Sequence, residues 1–203
     1  MLFSKADQER ITAAVKTAEA RTAAEFVVAT STRSGHYSAY RAAAAALGTW
    51  ATGMALHLFA LELDASWVFL LQLPLGLAFW GLFGLRVFLL PLVPDAREQA
   101  AVLHEAERLY AELGVHRTSG KTGVLIFLSE FERRVQLLGD EAVDAALGSQ
   151  GWSRHATGLM TVWKGEGPTE AVVRTLEALA ESLAAPLPHQ GQSSQRPDEV
   201  VAR

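Results

Sequence analysis

Asp140, Glu141 and Asp144 place three carboxylates within five residues. Carboxylate oxygens are the donors that Ca²⁺ and Mg²⁺ take as ligands, and Asp140 and Asp144 share one helix face at i, i+4 spacing. Acidic residues at the start of a helix are also favoured by the helix dipole alone, with no ligand. A phosphatase built on this pair would need a concave site with an anion-binding group beside it, so Asp140 and Asp144 would have to approach Arg117 or Lys121.

Other candidate chemistry fails on order or spacing. Ser119 to Thr122 reads SGKT, but the first glycine of a phosphate loop would fall at Val115. The run also leads into a strand, whereas the anion cradle is the start of a helix. Nucleotide binding is therefore not expected. His36, His57, His104, His116, His155 and His189 form no i, i+3 or i, i+4 pair, so no helical zinc motif exists. His116 beside Arg117 has the chemistry to meet an anion, and it also reads as part of the turn after Gly114. Ser149 lacks the nucleophile-elbow pattern, and no DxD acid pair is present. With no cysteine in 203 residues, disulfides, thiolate metal sites and cysteine nucleophiles are excluded. A formal net charge of −4 argues against a nucleic-acid partner, which selects for clustered Lys and Arg.

The elements around these residues divide into soluble and apolar segments. Met1 to Glu25 is polar and charged, without the apolar core of a secretory signal. From Ala42 to Leu61 there is no formal charge, and twenty helical residues span about 30 Å, the thickness of a bilayer's hydrocarbon core. A second run, Trp67 to Val93, carries one charge, Arg86, near its end, where it can snorkel to headgroups while Pro91 and Pro94 break the helix along the interface. Pro74 is expected to kink the second helix. Arg33 and Arg41 precede the pair, Arg86 and Arg97 lie at or beyond its end, and the connector Glu62 to Ser66 carries acidic charge only. The positive-inside rule then puts both termini in the cytoplasm, and Trp67 falls at the outer interface. Ala42 to Ala46, Gly48, Thr52, Gly76, Gly81 and Gly84 would let the helices approach closely. His57 and Gln72 are the polar positions inside the pair; hydrogen bonding between helices, or to a partner's helix, accounts for them more economically than a transport pathway.

The flanking segments read as one interrupted α/β domain. Ser4 and Asp7 resemble a capping box, and Ile11, Ala14, Val15 and Ala18 recur at helical spacing, predicting a helix over Ser4 to Thr22. Phe26 to Ala29 is a short buried strand. Beyond the apolar pair, Asp95 is expected to cap a helix that Gly114 ends. Gly123 to Leu128 and Arg134 to Leu138 form a hairpin, and short helices come next over Asp140 to Leu147 and Trp152 to Trp163. Pro168 opens the last helix. From Pro186 the composition is that of a disordered tail.

The order of these parts, together with Leu2–Phe3–Ser4 at the first helix, the Ala24 to Ala29 strand and the run His116, Arg117, Thr118, Gly120, Lys121, Thr122, Gly123 to Phe127, resembles the short, membrane-embedded members of the TPM domain family. The resemblance covers Leu2 to about Ala184. It implies a small α/β/α sandwich of the TPM type interrupted by a two-helix transmembrane hairpin, in a family linked to divalent-cation binding, acid-phosphatase activity and the assembly or repair of membrane complexes. Exported TPM domains carry acidic residues in a glycine-rich loop after the strand that corresponds to Arg134 to Leu138. Here Asp140 matches the pattern of the short members, while the second glycine and the downstream acidic spacing of the exported forms are absent.

The expected organisation is thus residues 1–41 and 93–185 as the two parts of one α/β domain, 42–92 as the transmembrane hairpin, and 186–203 as the tail. The expected function is a non-enzymatic interaction or assembly domain on the cytoplasmic (inner) membrane, with the lipid bilayer and another membrane protein complex as partners. Ca²⁺ or Mg²⁺ at Asp140 and Asp144 is the expected cofactor if there is one, and a weak metal-dependent acid phosphatase is the alternative.

Overall fold

The computed structural model describes residues 2–59, 64–118, 120–189 and 201–202. Its elements are α1 (Lys5–Glu19), β1 (Glu25–Ser31), α2 (Ser38–Phe59), α3 (Ala65–Leu82), α4 (Arg86–Leu89), α5 (Asp95–Glu112), β2 (Gly123–Ser129), β3 (Arg134–Gly139), α6 (Glu141–Glu166), α7 (Pro168–Ala184) and β4 (Val201–Ala202). They fall into two compact units, residues 1–34 with 99–203, and residues 35–98.

The first unit is an α/β structure around a mixed sheet of order β3-β2-β1-β4. β1 and β2 run parallel in register from Glu25 opposite Gly123 to Ser31 opposite Ser129. β3 returns antiparallel to β2, with Val124 opposite Gly139 and Ser129 opposite Arg134. Side chains alternate across a strand, so β1 and β2 each feed two cores. Phe26, Val28, Val124, Ile126 and Leu128 meet α1, α6 and α7, while Val27, Ala29, Leu125 and Phe127 meet Val102, Ala106 and Leu109 of α5. Both central strands are buried along their whole length, which is why they read as continuous apolar runs. β3 lies at the edge and is only half covered, with Val135 and Leu137 turned to the first core.

Local chemistry sets the helix ends. Ser4 and Asp7 form the reciprocal capping box of α1, each side chain bonding the other's backbone N–H. α5 starts one residue differently from expectation: the N–H groups of Arg97 and Glu98 are taken by the carbonyl of Pro94, so Asp95 lies inside the first turn and not at the cap. The two short helices expected around Gly148 are the halves of α6, divided where Gly148 takes φ +62° and ψ 176°, a conformation open to glycine. Pro168 is the first residue of α7, where its missing N–H costs no intrahelical bond.

Two stretches of the segment expected to be a disordered tail carry structure. Thr22 bridges to Pro188, with the Thr22 hydroxyl and the Ala23 N–H both donating to the Leu187 carbonyl at 2.7 and 2.8 Å. Val201 and Ala202 pair with Ala29 and Thr30 as a parallel edge of the sheet. The remainder of that expectation, residues 190–200 and 203, lies outside the described residues.

At the far end of β1 and β2 a buried carboxylate ties three segments together. Glu132, 3 % exposed in the β2–β3 turn, accepts from the Ser129 hydroxyl and, with both oxygens at 3.2 Å, from the Ser34 N–H. The Ser34 hydroxyl in turn donates to Ser129 Oγ at 2.8 Å. Arg33 lies over the Phe131 ring, 3.7 Å from its centre. Removing the carboxylate strands buried donors that were satisfied by a charged acceptor. Glu132→Ala should therefore cost about 3 kcal/mol of stability, and Glu132→Gln, which keeps one acceptor oxygen, clearly less. Thermal unfolding of both variants, monitored by circular dichroism, checks the order; equal midpoints for wild type and Glu132→Ala would rule the clamp out.

Candidate functional site

β3 delivers Asp140 to the start of α6, and the first two turns of α6 place Glu141 and Asp144. Each of the three carboxylates has a different neighbour. Asp140 is the N-cap: its Oδ1 accepts from the Glu141 N–H at 2.9 Å, and its carbonyl accepts from the N–H groups of Val143 and Asp144. Its Oδ2 is shielded from solvent without a hydrogen bond. Glu141 pairs with the ammonium of Lys121, and both side chains are largely exposed. Asp144 Oδ1 accepts from the indole N–H of Trp152 at 2.8 Å, a contact made across the break at Gly148. Among the described residues no three His, Asp or Glu side chains converge as a metal site. The cap and the two separate partners engage Asp140 Oδ1, Glu141 and Asp144 Oδ1, and leave Asp140 Oδ2 without a hydrogen bond.

The expected cationic neighbours are divided too. Lys121 takes φ +51° in the turn before β2, and its backbone carbonyl accepts from the Ala142 N–H at 3.1 Å. The hydrogen bond and charge of Glu141, with a smaller contribution from Asp140, hold its ammonium above the ordinary lysine range. Arg117 lies in the turn Val115–Arg117 just after Gly114, and His116 stacks obliquely on Tyr110 with ring centres 6.2 Å apart. In the SGKT stretch, the Thr118 hydroxyl accepts from the Thr122 N–H at 2.9 Å, and Gly120 to Thr122 leads into β2 as expected; Ser119 lies outside the described residues.

Tyr110 and Trp152 are the members of this cluster that spacing did not indicate. Tyr110 stands on α5 and reaches the carboxylates only because the sheet brings α5 and β3 together. Trp152 sits eight residues from Asp144, further than one helical face allows without the Gly148 break. Burial, and then the charges of Asp140 and Asp144, push the Tyr110 hydroxyl up to about 12.

The second unit consists of the apolar helices α2 and α3, the short α4 and the first turn of α5. α2 and α3 pack with small residues in the contact: a Cβ at Gly48 would lie 3.0 Å from the Phe79 ring, one at Gly53 2.9 Å from Gln72 Nε2, and one at Gly76 3.6 Å from Thr49 Oγ1. Gly81, expected in that contact, has open space where a side chain would stand. At one end of the pair Arg41 donates from Nε to the Trp80 carbonyl at 2.8 Å and lies 4.4 Å above the Trp80 ring. α3 runs through Pro74 and stops at Leu82; the remaining apolar stretch is α4 and a single tight turn, Leu90–Leu92. Both helices are long and apolar enough to cross a membrane, and both are mostly exposed: Phe59 is 84 % exposed, Phe69 and Leu73 75 % each.

Fold and site together define an α/β domain whose chain is interrupted by a pair of apolar helices. No protein-family model and no curated protein matches the chain. Its fold is similar to the NMR structure of the BA42 protein from the psychrophilic bacterium Bizionia argentinensis, with a TM-score of 0.63 and 13 % sequence identity, covering 100 % of this chain and 97 % of that one. At that identity the likeness concerns the fold.

Because Tyr110 keeps its proton longer when folded than when unfolded, its contribution to stability is intact below pH 10 and lost as pH rises through about 12. In an Asp140→Asn, Asp144→Asn variant the two repulsive charges are gone, so absorbance titration of the tyrosines should find this one ionising earlier than in the wild type. An unchanged titration would mean that the carboxylates do not face Tyr110.

Proposed function

We propose that this chain is an integral membrane protein of TPM-like type, in which α2 and α3 anchor a cytoplasmic α/β domain that acts by interaction rather than catalysis. One observation carries the reading: the large apolar side chains of α2 and α3, among them Leu47, Trp50, Phe59, Phe69, Leu73 and Leu77, point outward and not into a core. Water-exposed apolar surface of that extent marks a lipid or protein interface. Length agrees, since 22 and 18 helical residues reach about 33 and 27 Å at 1.5 Å each. The charge pattern supports an orientation with Arg33, Arg41, Arg86 and Arg97 on the cytoplasmic side and the acidic connector outside. Arg41 on Trp80, and Arg97 5.9 Å from the Tyr40 ring, are the amphipathic pairs that suit a headgroup region.

Among the described residues of the α/β domain, the carboxylates of the acidic cluster are held by separate partners. Asp144 is engaged by Trp152 and Glu141 by Lys121, so of the two cations that could meet an anion there, Lys121 is already paired with a carboxylate. The role we propose is that of a tethered domain that helps another membrane complex assemble or persist.

The absence of native cysteine makes the topology directly measurable. Single cysteines at Asp64, in Asp64→Cys, and at Glu181, in Glu181→Cys, should react with an impermeant maleimide from opposite sides of right-side-out vesicles, the first from outside and the second only after lysis. Extraction of the protein by alkaline carbonate, without detergent, would refute the anchor. Calorimetric titration with Ca²⁺ and Mg²⁺ decides the cofactor: saturable heat that disappears in an Asp140→Ala, Asp144→Ala variant would restore the metal-dependent phosphatase, and no heat in either protein leaves the tether.

A further inference from the structure

We infer that the apolar hairpin pairs with a second copy of this chain through Gln72, a step that rests on the membrane reading above. Gln72 stands seven residues from the start of α3 and ten from its end. At 1.5 Å per residue that is roughly 10 and 15 Å, so its carboxamide lies near the middle of the hydrocarbon. The two threonine hydroxyls of α2 are satisfied locally: Thr49 donates to the Ala45 carbonyl at 2.7 Å and Thr52 to that of Gly48 at 2.8 Å. His57 is two residues from the last residue of α2 and reaches headgroup water. Gln72 has neither solution. Its amide lies against Gly53, is exposed, and makes no hydrogen bond among the described residues.

A primary amide carries two donors and an acceptor with two lone pairs, all of which need partners where water is absent. Two such amides related by a two-fold axis satisfy each other reciprocally, donor to acceptor in both directions, and no other polar group is required. A different protein would have to bring a matching polar group to the same depth; a second copy brings one by symmetry. Gly53 and Gly76 are taken up by the contact between α2 and α3, so a second copy approaches from the exposed side of α3. Phe69 and Leu73, the exposed apolar neighbours of Gln72 on α3, supply packing around the pair.

The test uses the full chain reconstituted in phosphatidylcholine vesicles, with donor and acceptor dyes on separate pools of the Glu181→Cys protein. Energy transfer is measured as the protein-to-lipid ratio is lowered, after flotation has separated vesicle-bound protein. The wild type should show transfer above that of random proximity, saturating with protein density. Gln72→Leu, which makes α3 more apolar and so preserves insertion, should need roughly tenfold more protein per lipid for the same transfer, a factor equal to about 1.4 kcal/mol. Gln72→Asn, which keeps an amide, should fall between the two. Protein that floats but transfers no more than random proximity, or transfers equally as Gln72→Leu, overturns the pairing and leaves the anchor standing. Protein that fails to float overturns both.

Discussion

Parallel pairing of β1 with β2 is the constraint on which the rest of the α/β unit depends. Parallel neighbours cannot be joined by a tight turn, because the chain must travel back along the sheet before the second strand can start. The two strands contribute seven residues each and are buried on both faces, so both sides of the sheet must be covered. α5 covers one face within the return path; α1, α6 and α7 cover the other. The return path is also the place where a long segment can be inserted without disturbing a short turn. The apolar helices occupy that place, between Ser34 and α5.

The end of the sheet where the insertion departs is held by a different chemistry from the end that carries the acidic cluster. At the departure point the Glu132 carboxylate binds the Ser34 N–H and the Ser129 hydroxyl, joining β1, β2 and the turn to β3 in one network. At the opposite end Asp140 caps α6 while its N–H bonds the Gly123 carbonyl at 2.9 Å, and Ala142 bonds the Lys121 carbonyl. Both ends use carboxylates for structure. Asp140, at the head of the acidic run 140–144, thus serves a helix start packed against the first residues of a central strand.

Features set by neighbours in sequence are legible from the residues alone. The capping box at Ser4 and Asp7, the doubly buried run Gly123 to Leu128, the break at Gly148 and proline at the first position of α7 are all decided within a few residues. Features that need distant segments are not. Glu132 reads as one more charge in a turn until Ser34 is brought beside it; Tyr110 reads as part of an apolar stripe until β3 places Asp140 nearby. β4 is illegible because two residues, Val201 and Ala202, gain their strand character only from the open edge of β1. Asp95 shows the opposite error: the strongest capping residue in the stretch lies one place inside the helix, because Pro94 has no N–H to lose and its carbonyl takes the first bonds.

The parallel register also sets a timetable for synthesis. β1 is complete at Ser31, but its partner is not finished until Ser129. At about 5–20 residues per second the ribosome needs roughly 5–20 s to cover that interval. During the wait, β1 has seven residues destined for burial and nothing to pair with, while α2 and α3 emerge in full. The apolar helices thus reach their surroundings before the sheet can close. The order of translation makes the α/β unit the last part of the molecule to acquire its shape.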